Sequence, residues 1–154
     1  MNKWIRFIVA ILICQIAGII GSIFTTPSIP TWYSGLNKPS FSPPNWIFGP
    51  VWITLFTLMG ISLFLVWEKG IKKIKIPLII FGIQLILNVI WSLLFFRLQS
   101  PFYAFAEIII LWIAISITIL SFFKISKRAG LILMPYIFWV SFAAILNYYV
   151  WILN

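Results

Sequence analysis

Apolar residues fall in five long runs along the chain, each interrupted by only a few polar positions and each ending in a short polar stretch. A helix needs about 20 predominantly apolar residues to cross the hydrocarbon of a bilayer. The runs at about 5–24, 47–67, 77–96, 102–123 and 130–153 all meet that length. Pro50, Pro77 and Pro135 stand near the starts of the second, third and fifth runs. A proline is tolerated in a first helical turn, where its missing N–H would have no partner anyway. The pattern predicts an all-α membrane protein: a bundle of five transmembrane helices forming a single domain over residues 1–154. A signal peptide is the rival for the first run, but no small-residue cleavage site precedes Thr26, which favours a retained helix.

Three of the four connections are short. The exception, 25–46 (TTPSIPTWYSGLNKPSFSPPNW), holds five prolines among several aromatic residues. Prolines restrict the backbone, so this loop is expected to be ordered, and long ordered loops commonly cap a binding site. It is expected to act as a lid. The competing explanation is a rigid anchor whose Trp and Tyr side chains sit among the headgroups.

Composition agrees with lipid as the solvent. With 63% apolar and 8% charged residues in 154, no soluble domain of this size could bury its apolar surface. The net charge of +9 lies in clusters between the runs rather than across an exposed face, which argues against a nucleic-acid partner. Lys3, Arg6, Lys69, Lys72, Lys73, Lys75, Lys124, Lys127 and Arg128 share one side; Lys38 and Arg97 alone take the other. That asymmetry predicts a cytoplasmic N-terminus and an outside C-terminus. The isoleucine- and lysine-rich composition suits a bacterial plasma membrane.

Candidate chemistry is narrow. The chain has no His and no Asp, so a His-centred triad and ordinary His-ligated haem are excluded. Cys14 is the only cysteine, which leaves no disulfide, no zinc site and no expected metal. Polar groups at membrane depth are costly, so their spacing carries information. Gln84, Asn88, Trp91, Ser92 and Phe95 share one face of the third helix, and Tyr136, Trp139, Ala143 and Asn147 share one face of the fifth. Tyr103, Glu107, Ala114 and Thr118 do so on the fourth, while Trp52 and Phe56 lie one turn apart on the second. These stripes are expected to face one another, as interhelical hydrogen bonds or as an aromatic pocket with a few orienting amides. Gln15, near Gly18, Gly21 and Ser22, is expected to join helices. Glu107 is either ligand- or proton-linked, or a protonated or capped acid near the outer end of the fourth helix with Arg97 as a possible partner.

The segment WYSGLNKPSFSPPNWIFGPVW (32–52) resembles the translocator protein family, also called the tryptophan-rich sensory or peripheral benzodiazepine receptor family. The resemblance continues through FTLMGISLFLVWEKG (56–70), QLILNVIWSLLFF (84–96) and PYIFWVSFAAILNYYVW (135–151). It implies a five-helix bundle whose first loop covers a pocket for flat hydrophobic ligands: porphyrins, sterols and isoquinoline-carboxamide or benzodiazepine-type drugs. It also implies a homodimer. Carried over by position, the pocket comprises Tyr33, Trp52, Asn88, Trp139, Ala143 and Asn147, and Trp91 joins them from the stripe on the third helix. Trp52 and Trp139 resemble the pair associated with light-dependent porphyrin breakdown, an alternative, catalytic role; transport of tetrapyrroles is a third. Lys38 and Arg97 could meet porphyrin propionates, or simply snorkel to the interface. No obligatory cofactor is expected; a metal-free porphyrin would be ligand or substrate. Two departures stand out. Leu146 and Tyr148 of a sterol-type motif are present, but 151–154 supply no cation; and Phe56 stands where relatives often have tyrosine.

Overall fold

A computed structural model describes residues 1–154. Helix α1 (Lys3–Thr25) opens with Asn2, whose side chain accepts from the Trp4 amide at 3.1 Å and caps the first turn. After the long first loop, α2 (Phe48–Trp67) carries Pro50 in its first turn. Helix α3 (Lys75–Ser92) continues into a wider π turn over Leu93–Arg97. Gln99, with φ of 51°, reverses the chain before α4 (Pro101–Ile125). The fifth span is two helices, α5 (Lys127–Ile132) and α6 (Met134–Leu153), broken at Leu133 just before Pro135. The chain therefore holds five segments long and apolar enough to cross a bilayer. The fifth begins a few residues earlier than its apolar run suggests, because Ser126 caps it through the Ala129 amide.

Lipid as solvent explains what is inside and what is outside. Isoleucines such as Ile8, Ile86 and Ile110 are exposed, whereas Gln84, Asn88, Thr118 and Asn147 are buried. Small residues set the closest helix approaches. A Cβ on Gly60 would stand 2.7 Å from the Ile11 Cα, so α1 and α2 touch backbone to backbone there. Ser62 adds a 2.8 Å hydrogen bond to the Ala129 carbonyl, tying α2 to α5.

Two contacts establish which ends lie together. Arg6 pairs with Glu68 at 3.1 Å, placing the start of α1 beside the α2–α3 connection. At the opposite end the Asn37 amide donates to Asn154 Oδ1 at 3.0 Å, and Asn154 Nδ2 returns a bond to the Asn37 carbonyl at 2.9 Å. The first loop is folded throughout. Its chain turns through Tyr33 N–H to the Ser28 carbonyl (2.9 Å) and Ser42 N–H to the Pro39 carbonyl (3.0 Å), and includes a 3₁₀ turn at Tyr33–Gly35.

Candidate functional site: an aromatic cavity beneath the first loop

A cavity of about 360 Å³ opens in the half of the bundle nearest the first loop. Every span except the fourth contributes to its wall. Helix α1 presents Gln15, Gly18 and Gly21; the loop presents Ile29 and Tyr33; α2 presents Phe48, Trp52 and Phe56. Asn88, Trp91 and Ser92 come from α3, Phe95 and Phe96 from the π turn, and Trp139, Ala143 and Asn147 from α6. Glycines keep α1 low enough for this space to exist. A Cβ on Gly18 would meet the Phe56 ring at 2.7 Å, and one on Gly21 would meet Ser92 Oγ at 3.2 Å.

The polar groups in the wall are largely committed to one another. Asn88 Nδ2 donates to the Tyr136 hydroxyl at 2.8 Å, and that hydroxyl donates to Gln84 Oε1 at 2.8 Å. Trp91 Nε1 donates to Asn147 Oδ1 at 2.9 Å, and Asn147 Nδ2 donates to the Pro101 carbonyl at 2.7 Å. Gln15 Nε2 bridges to Thr57 Oγ1 at 2.9 Å and to the Ile53 carbonyl at 3.1 Å, joining α1 to α2. The Trp139 indole N–H is buried and has no acceptor, and the Ser92 hydroxyl in the wall likewise makes no hydrogen bond.

Aromatic contacts brace the wall. Trp91 stacks on Phe95 with centroids 5.2 Å apart, and Trp32 and Tyr33 meet Phe95 at 5.5 and 6.3 Å. Trp52 lies 6.5 Å from Tyr136, and Trp139 lies 6.1 Å from Phe48. Such pairs contribute about 0.5–1.5 kcal/mol each beyond area burial. Lys38 Nζ sits 4.6 Å over the Tyr33 ring and donates to the Tyr33 carbonyl at 2.7 Å. Burial pushes the Tyr33 hydroxyl pKa above its ordinary value.

All seven residues expected to form the pocket, Tyr33, Trp52, Asn88, Trp91, Trp139, Ala143 and Asn147, line this one cavity. Three expectations need correction. Lys38 and Arg97 are not in the wall: the Lys38 ammonium is taken up by loop carbonyls, and Arg97 is exposed at the end of the π turn. The stripe on the fourth helix does not converge with the others. Tyr103 is exposed, and Thr118 bonds to the Ala114 carbonyl of its own helix, because α4 packs behind α3 and α6. Glu107 is buried with neither oxygen hydrogen-bonded, so Arg97 does not pair with it. The sequence pattern does not single out Phe48, Phe96 and the α1 glycines as wall residues. Of these Phe48 is detectable, since it precedes Trp52 by one turn on the same face.

The fold and cavity together define a five-span membrane protein with an internal, aromatic-lined chamber. The model of the TspO/MBR family matches residues 10–152, and the chain belongs to that family. It is 43% identical to the tryptophan-rich protein TspO of Archaeoglobus fulgidus over 150 residues, which covers 97% of each chain. It is 44% identical to the protein of the same name from Chlorobaculum tepidum over 157 residues, covering 100% of this chain and 99% of that one. It is 36% identical to the human translocator protein over 135 residues, covering 86% of this chain and 80% of the human one.

Proposed function

We propose that this chain is an integral membrane binding protein, or sensor, for flat hydrophobic ligands, with porphyrins of the protoporphyrin type and isoquinoline-carboxamide or benzodiazepine-type drugs as the ligand classes. The supporting observation is the cavity itself. Trp52, Trp91, Trp139, Tyr33 and several phenylalanines surround about 360 Å³, within the usual range for ligand sites. Planar π-systems stack well on such walls. Because Asn88, Asn147 and Trp91 already have partners within the protein, the unpartnered Trp139 N–H and Ser92 hydroxyl are the groups that would orient a ligand carbonyl or ring nitrogen. The first loop acts as the lid, through Ile29 and Tyr33 in the wall. The N-terminal end faces the cytoplasm, following the cation asymmetry. Dimerisation and a bacterial plasma-membrane location rest on the family resemblance and composition.

Protoporphyrin titrated into the detergent-purified protein should quench tryptophan fluorescence saturably. Trp52→Phe should weaken that quenching severalfold, and Trp139→Phe, which keeps bulk but removes the N–H, should selectively weaken ligands bearing a carbonyl acceptor. Absence of saturable quenching ends the proposal. The presence of both Trp52 and Trp139 in the wall also favours a second reading, oxidation of bound porphyrin by oxygen under light, with these indoles as redox partners that lend an electron to the excited macrocycle and regain it. Illumination should then give a distinct product that Trp139→Phe abolishes.

A further inference from the structure

The end of the bundle remote from the cavity carries a second concavity, and its chemistry is different. The first turns of α1, the end of α2 and the connection into α3 enclose about 360 Å³ bordered by Arg6, Trp67, Lys69, Gly70, Lys72 and Lys73. Gly70 makes this shape possible. Its φ of 97° lies in the left-handed region that side chains avoid, and it turns the chain out of α2 into the 3₁₀ turn Ile71–Lys73. Arg6 is held in place by Glu68 at 3.1 Å, at an angle short of a hydrogen bond. That is the one ion pair in the chain, so the three lysines around the concavity have no acid opposite them. Trp67 is partly buried at the end of α2, the depth at which indoles sit among headgroups. Ile5 and Ile76 are both exposed, next in sequence to Arg6 and Lys75, so an apolar surface begins where the basic one ends.

Exposed cations around a hollow repel one another only weakly in water, but together they attract an anion that enters it. At this depth the abundant anion is a lipid phosphate, whose acyl chains would run down the isoleucine-rich helix faces. We infer that this concavity is a binding site for the headgroup of an anionic phospholipid, with Lys69, Lys72 and Lys73 on the phosphate and Arg6 at its rear. The same residues could hold a free phosphate, and the experiment separates the two.

The test is native mass spectrometry of the full chain released from detergent containing equal phosphatidylglycerol and phosphatidylcholine. The wild type should retain phosphatidylglycerol at least fivefold over phosphatidylcholine. The triple variant Lys69→Gln/Lys72→Gln/Lys73→Gln should lose that preference. The control Lys124→Gln/Lys127→Gln/Arg128→Gln removes the same charge from the same end, outside the concavity, and should keep it. Equal loss in both triples means diffuse surface charge and overturns the site; so does an absent preference in the wild type. Displacement of phosphatidylglycerol by millimolar inorganic phosphate, with phosphate adducts that vanish in the first triple, overturns the lipid assignment. The three lysines are exposed, so unchanged thermal unfolding is expected; Lys72→Gln alone, expected to lower the preference severalfold, decides the case if the triple does not fold.

Discussion

Tyr136 shows how one side chain serves both the core and the cavity. It is fully buried, accepts from Asn88 and donates to Gln84, and so joins the wall of the chamber to the packing behind it. Tyr136→Phe leaves Gln84 Oε1 and Asn88 Nδ2 without that partner in a medium that offers none. Interhelical hydrogen bonds in membranes contribute modestly, so the expected loss is about 1–2 kcal/mol of stability. Thermal unfolding in detergent measures it, and an unchanged midpoint would mean that water already satisfies the pair. Glu107 presents the opposite case, a buried carboxyl with no partner at all. An acid at that depth is stable only when neutral or when its environment supplies a donor.

At the scale of the helix, glycine positions that look alike in sequence are unlike in space. Gly60 abuts the α1 backbone so closely that a Cβ there would lie 2.7 Å from the Ile11 Cα, whereas a Cβ on Gly82 would meet nothing within 4 Å. Gly60→Val must therefore push α1 away from α2, costing about 1–3 kcal/mol as overpacking does. Gly82→Ala should be neutral or stabilising by up to about 1 kcal/mol, since alanine is the better helix former. Chemical or thermal unfolding of the two variants side by side checks the contrast; a similar shift in both would mean the α1–α2 contact is loose. Gly18→Ala belongs between these cases, because the atom it would displace is in the Phe56 ring of the cavity wall. Its expected signature is altered ligand affinity more than altered stability.

Over the whole molecule, the first loop is tied down at two places. Tyr33 and Trp32 pack on the π turn, and the Asn37–Asn154 amides clasp the loop to the end of α6. Access to the chamber past that loop requires the clasp to open. Asn154→Ala removes both bonds of the clasp and should raise ligand association and dissociation rates together, severalfold, with little change in equilibrium affinity. Stopped-flow quenching with protoporphyrin measures both rates. Rates that do not move would show that ligand enters between helices from the lipid.

Much of this architecture is written in the one-dimensional pattern. Run length and cation placement specify five spans and their relative ends, because hydrocarbon thickness and the cost of a buried charge act on each segment alone. Helical period likewise groups Asn88 with Trp91 and Trp139 with Ala143 before any neighbour is known. What the pattern leaves open is which stripe meets which. The stripes on α3 and α6 line the chamber while the similar one on α4 turns into helix packing, and glycines on α1 that resemble simple helix contacts form a cavity wall. The reach of Lys38 is also a tertiary outcome, since the carbonyls that capture it come together only once the loop has folded. Pairing between faces depends on the relative rotation of whole helices. That rotation is set by the sum of many weak contacts across the bundle, and no local stretch of chain contains that sum.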